Sequence, residues 1–305
     1  MAQDTAAIAP LRQRGRFASF VLCGLLIALV SVPTAALAQL RGHGGPVRAL
    51  AISADGQSLI SGGFDSTANS WSLPRNSAEQ VLRFHADAVN AVAWLGDGRA
   101  ATAGADGRVA IWTAGKAEPD TVLEGHTGPI VALAPSPDGA TLASASWDHT
   151  VRLWPLAGGA PRVLDGHSQN VNGVAFSADG RAVISVSYDQ SVRIWPLSGA
   201  QAPAVIAMPT PLNAVAVGSN GDIAVGGADG KVYMLSASGA RAGDVVAGPR
   251  PVISLAISPD GALVAAAGIG GTVAVIVRQE QAVARTLVGP GLPGWAVAFM
   301  PDSRT

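Results

Sequence analysis

Apolar residues recur along this chain in runs too short and too closely spaced for helices. Before a series of Asp-Gly turns they stand at i, i+3 and i+5: Val47/Leu50/Ile52, Val89/Val92/Trp94, Val171/Val174/Phe176, Leu212/Val215/Val217 and Val252/Leu255/Ile257. A helix would carry the stripe on to i+4 and i+7, and a flat strand would alternate throughout. One slipped position followed by alternation predicts a strand with a β-bulge. After the turn the pattern predicts three more strands, as in Thr141-Leu142-Ala143-Ser144, Val151-Arg152-Leu153-Trp154 and Arg162-Val163-Leu164, with a tight turn at Asp148 between the first two of these.

The unit repeats. Turns at Asp55-Gly56, Asp97-Gly98, Asp138-Gly139, Asp179-Gly180, Asn220-Gly221, Asp260-Gly261 and Asp302-Ser303 are separated by 42, 41, 41, 41, 40 and 42 residues. A second comb runs through Asp65, Asp106, Asp148, Asp189 and Asp229, and a third, six residues later, through Trp71, Trp112, Trp154 and Trp195. Four short antiparallel strands per period form one blade of an all-β propeller. The spacing predicts six complete four-stranded blades. A seventh begins at Trp295-Ala296-Val297-Ala298-Phe299 and has its turn Asp and Trp due beyond Thr305, so we expect the chain to stop inside a blade.

Gly42-His43, Gly125-His126 and Gly166-His167, each followed by an Asp 22 residues on and a Trp six later, resemble the WD40 repeat over residues 39 to 305. The resemblance implies hydrogen-bonded tetrads of His, Ser/Thr, Asp and Trp. Four repeats match: His43/Ser61/Asp65/Trp71, His85/Thr102/Asp106/Trp112, His126/Ser144/Asp148/Trp154 and His167/Ser185/Asp189/Trp195. None of the four tetrad tryptophans is followed by the Asp of the family signature; the next residues are Ser72, Thr113, Pro155 and Pro196. The fifth repeat keeps Asp229 but has Val225 and Leu235 at other tetrad places, and the sixth has Gly270 and Ile276, so both are expected to be held by apolar packing alone.

Composition narrows the function. Lys+Arg 20 against Asp+Glu 21 gives a formal net charge of −1, which argues against nucleic acid as a partner. Arg12, Arg14 and Arg16 precede an apolar run from Phe17 to Val32, then Pro33 and Ala36-Leu37-Ala38. That is the order of a secretory signal peptide over residues 1–38, cleaved before Gln39. An uncleaved anchor is the weaker alternative, because the run is shorter than the roughly 20 residues that span a bilayer. Export to the periplasm or another outside compartment, with no membrane attachment after cleavage, is expected. The single cysteine, Cys23, lies in the apolar run and would leave with it, so the chain has no disulfide framework or zinc ribbon.

Candidate chemistry is sparse. Four of the five His fall on the repeat period, where a structural role outweighs a metal one, and the fifth, His149, is a lone turn residue. No phosphate loop runs from a strand into a helix, and each Ser-His-Asp set is already a tetrad. No catalytic residue, bound cofactor or metal is assigned, and the chain is expected to be no enzyme; a hydrolase or lyase would need clustered carboxylates or metal ligands at one channel mouth. In WD40 propellers partners dock where the residue before the turn Asp and the inner-strand bulges emerge. The resemblance places Phe64, Trp147 and Tyr188 there from the turns, Pro46, Arg48, Asn90, Asn170, Asn172 and Asn213 from the bulges, and Trp295 from the seventh blade. The three turn aromatics either anchor a protein partner or pack on neighbouring loops. A non-catalytic protein-interaction platform is therefore the first expectation. The alternative comes from resemblance to exported WD40 proteins, a group of which carries a C-terminal c-type cytochrome domain. Its CxxCH haem site would have to lie beyond residue 305 and make the whole an electron carrier.

Overall fold

The computed structural model describes residues 40–198, 201–289 and 293–302. The expected signal segment, Cys23 and the cleavage site before Gln39 lie outside them. The described residues form six four-stranded antiparallel sheets, each built from four strands consecutive in the chain. Blade three is representative, with strands Ile130–Pro135, Thr141–Ser146, Val151–Pro155 and Arg162–Leu164. The inner strands of the other blades are Val47–Ile52, Val89–Trp94, Val171–Phe176, Leu212–Val217 and Val252–Ile257.

Local chemistry sets this repeat. Each inner strand ends in a turn whose Asp, or Asn220 in blade five, accepts the backbone N–H two residues on, as Asp138 Oδ1 does from Ala140 (3.0 Å) while also accepting the Ser136 hydroxyl (2.5 Å). Gly139 takes φ +69°, which a side chain would resist. The bulge lies where the slipped apolar position predicts it. Pairing skips one residue at Arg48, Asn90, Asn172, Asn213 and Ile253, and also at Val131, in the one blade whose pattern is interrupted by Pro135. Pro46 and Asn170 correct the expectation: they precede their strands, and their carbonyls accept the Phe64 and Tyr188 N–H groups (both 3.0 Å).

The core is divided among the blades. Each of five apolar clusters is shared by two consecutive blades, so burial is completed only when neighbours stack. The second strands are almost wholly buried between such faces, whereas the outer strand Ala282–Val288 is exposed along its length. Inner strands pack one against the next from blade one to blade six, and among the described residues no comparable contact joins Val252–Ile257 to Val47–Ile52. The segment from Trp295 occupies that place. The Val297 N–H donates to Ser254 Oγ of blade six (3.2 Å), the Trp295 ring meets Phe64 and Arg48 of blade one, and Met300 and Pro301 lie against Gly56. Expected as the start of a seventh inner strand, it carries no ladder, because no second strand pairs with it among the described residues.

Candidate interaction face

The four tetrads are continuous hydrogen-bonded chains. The indole Nε1 of Trp71, Trp112, Trp154 and Trp195 donates to the hydroxyl of Ser61, Thr102, Ser144 and Ser185 in turn, at 2.7, 3.0, 2.8 and 2.8 Å. These hydroxyls meet Nε2 of His43, His85, His126 and His167 at 2.8, 2.8, 2.8 and 2.7 Å. Nδ1 of each ring meets the carboxylate of Asp65, Asp106, Asp148 or Asp189 at 3.1, 3.0, 2.7 and 2.7 Å. An indole N–H can only donate and a carboxylate can only accept. The chain therefore runs Trp to hydroxyl to His to Asp, the indole donating at one end and Nδ1–H donating to the carboxylate at the other. Every donor finds an acceptor, which makes so polar a set tolerable inside a blade. The carboxylate also accepts the N–H of the residue after the His: Gly44, Ala86, Thr127 and Ser168, at 2.6, 3.2, 3.1 and 3.1 Å.

The tetrad hydroxyls are closed to any ligand. Ser61 is 2% exposed, and Thr102, Ser144 and Ser185 are 0% exposed, each on a second strand sandwiched between neighbouring blades. They are site residues in the structural sense alone: Ser61, Thr102, Ser144 and Ser185 join the blade together and do not reach the face where a partner would dock. The buried indoles of Trp71, Trp112, Trp154 and Trp195 share that position.

Sequence reading missed a fifth member. Two residues past the Asp, the hydroxyls of Thr67, Thr150 and Ser191 donate to Oδ1 at 2.9, 2.7 and 2.6 Å. Their recurrence at the repeat period was the available signal; blade two has Arg108 there instead. Burial works against ionisation of Asp65, Asp106, Asp148 and Asp189, yet these hydrogen bonds hold each carboxyl below its usual range. Burial also pushes the His167 pKa down, with Asp189 opposing, in keeping with a neutral ring. In blades three and four, Arg152 and Arg193 lie over the tetrad indoles at 5.9 and 5.6 Å from the ring centroids. Gly125 and Gly166 leave room for them: a Cβ there would stand 2.6 and 2.7 Å from a guanidinium nitrogen.

Blade five departs from its expectation. It is not held by apolar packing alone: the Tyr233 hydroxyl donates to Asp229 Oδ2 at 2.5 Å. Burial first, and then the hydrogen bond to Asp229 and its charge, push the tyrosine pKa up. The Arg241 guanidinium lies 5.3 Å from the Tyr233 ring centroid. Tyr233 sits at the place of Arg152 and Arg193, and its hydroxyl takes over part of the histidine's role from another strand. Blade six packs Val264, Ala266, Ala274 and Ile276 against blade five, with Gly270 in the turn.

Above these sets lies the face assigned to partner contacts. Phe64, Trp147 and Tyr188 are 44, 44 and 43% exposed, and Ile269, not anticipated, is 41% exposed at the same repeat position. Ile269 escaped notice because its turn lacks the Asp that marks the others. The two proposed fates of the aromatics are combined in the structure. Phe64 meets Trp295 edge to face at 5.6 Å, and Trp147 Nε1 donates to Asn172 Oδ1 at 3.0 Å, yet each keeps nearly half its surface in water. Arg48, Asn90, Asn172 and Asn213 emerge from the bulges into a central channel of about 210 Å³, with Trp295 and Ser254 also on its wall. Asn170 stands outside this lining.

The comparison with protein families follows this geometry closely. Residues 35–72, 76–113, 117–155 and 159–196 match the family described as WD40: WD domain, G-beta repeat. Each matched segment ends one residue past a tetrad tryptophan, so the match rests on the repeats that carry the complete polar chains. By the match over these four repeats and by its bladed architecture, this chain belongs to the WD40-repeat β-propeller family.

Proposed function

We propose that this propeller is an exported, non-catalytic platform that binds another protein through the face around the channel mouth. WD40 propellers commonly serve as protein-interaction platforms. The observation that carries the proposal is the group of four large apolar side chains, Phe64, Trp147, Tyr188 and Ile269, held at 41–44% exposure around a polar channel. Apolar surface gathered on one face in this way marks an interaction site, and aromatic anchors dominate interface energetics. The tetrad serines and histidines do not compete as catalysts, since each is already engaged within its blade. Export rests on the Arg12/Arg14/Arg16 segment, the apolar run and Ala36-Leu37-Ala38.

The test replaces Trp147 and Tyr188 together by Ala in the full chain. Partner capture from the exported fraction should fall at least ten-fold while the melting temperature holds, and unchanged capture would remove the assignment. N-terminal sequencing of the exported protein should begin at Gln39; a start at the initiator end would overturn cleavage.

A further inference from the structure

Most polar groups in the channel mouth are spoken for. Asn90 Nδ2 donates to the Ile130 carbonyl (3.1 Å) and Asn172 Nδ2 to the Leu212 carbonyl (2.9 Å), while Ser254 Oγ accepts the Val297 N–H. Two groups remain. The Asn213 amide makes no hydrogen bond among the described residues, and neither does the Arg48 guanidinium, which lies 5.1 Å from the centroid of the Trp295 ring. Among the described residues Arg48 is the one charged side chain on the channel wall, which carries no carboxylate. Arg99, Arg108 and Lys231 pair with carboxylates (Asp97, 2.7 Å; Glu124, 3.0 Å; Asp244, 2.8 Å), whereas Arg152, Arg193 and Arg241, like Arg48, lie over aromatic rings.

A guanidinium does not give up its proton in a protein. Half-burial draws the Arg48 pKa down, opposed in part by Tyr188, and no carboxylate stands on the channel wall to compensate. Cavity size limits which anion can take that place. The space, about 210 Å³, is below the ~300 Å³ floor of cofactor-sized pockets. One side chain fits.

We propose that the channel mouth is a receptor for a single carboxylate, an Asp or Glu side chain on a loop of the protein partner, gripped by Arg48. The stack on Trp295 holds the guanidinium in place, so little side-chain freedom is lost when the anion arrives. Phe64, Trp147, Tyr188 and Ile269 then receive the residues that flank the acid. The proposal rests on the platform function above and names the chemistry its partner must present.

The probe is the peptide acetyl-Gly-Phe-Glu-Phe-Gly-amide against its Gln isostere, titrated into the full chain and followed by the Trp295 indole resonance. The Glu peptide should bind at least about ten-fold more tightly than the Gln peptide, as expected for hydrogen bonds to a charged group. Arg48→Gln should abolish that preference, and Arg48→Lys should keep part of it, which separates lost recognition from a misfolded channel. Equal binding of the two peptides, a preference that survives in Arg48→Gln, or no binding by either peptide would overturn the proposal. Free glutarate binding as tightly as the Glu peptide would also overturn it, by assigning the site to a small diacid. Equal binding of both peptides that is lost in the Trp147→Ala/Tyr188→Ala variant would leave the platform standing while removing the carboxylate.

Discussion

Blades one to four and blades five and six reach one geometry by different chemistry. All six have four antiparallel strands and a bulge in the inner one. The first four tie the turn Asp to a buried indole through two intervening side chains, the second of them the hydroxyl of Ser61, Thr102, Ser144 or Ser185. Blade five replaces that chain with one Tyr–Asp bond, and blade six replaces it with packed aliphatic side chains. The tetrad is thus not what creates a blade. Bulge, turn and apolar stacking do that, and the tetrad adds a directional lock between the loop before the blade and the turn within it. Such a lock is costly when half made, because removing one member strands several buried partners.

The largest effect should come from breaking that chain. Asp148→Ala leaves His126, Thr150 and two backbone N–H groups without their acceptor, and should cost about 3–5 kcal/mol in urea denaturation. Asp229→Ala loses the Tyr233 hydroxyl and one backbone N–H, and should cost about 1–2 kcal/mol. A larger cost at Asp229 would reverse the ranking of the two regions. Native-state hydrogen exchange gives the next test. Second strands of blades one to four should open with higher free energy than Ile223–Gly227 and Leu263–Gly268 of blades five and six; stronger protection in the latter pair would contradict it.

Acid should narrow this gap. The tetrad carboxyls sit below their ordinary pKa, so their contribution is complete above the unfolded Asp value of about 4 and is lost as pH falls below it. His167 is also depressed by burial. The unfolded chain takes up its proton first, and this loss begins as pH falls below about 6.5. Protection in blades one to four, corrected for intrinsic exchange, should therefore decline on acidification while blades five and six change little; a uniform decline would dissociate the tetrads from the effect. The smallest change is local. His149 follows the turn Asp at φ +73°, where blade two has Gly107 at +76°. His149→Gly should raise stability by about 1 kcal/mol in the same denaturation assay, and a loss would mean that the imidazole makes up for its backbone strain.

How much was legible follows from how local each signal is. The slipped apolar spacing around Arg48, Asn90, Asn172 and Asn213 read directly as bulges, because strand alternation is written residue by residue. The tetrads were legible because His, Ser or Thr, Asp and Trp recur at one spacing. Tyr233 was not, since it stands two residues short of the tryptophan place and only the approach of its hydroxyl to Asp229 reveals the bond. Ile269 was hidden by the missing Asp beside it, and Val131 by the apolar pattern that Pro135 cuts short.

Repeat length, blade count, bulges and four polar chains were thus determined by the sequence itself, since each depends on contacts within one turn or one blade. Only the tertiary structure decided which groups would end up facing one another across the channel. Arg48 and Asn213 lie four blades apart in the chain and share a cavity because the sheets are arranged radially. Trp295 stacks on Arg48 because its segment lies between the last blade and the first. Those juxtapositions arise from packing between distant parts of the chain, where side-chain shape and desolvation select the neighbour and no local period records the choice.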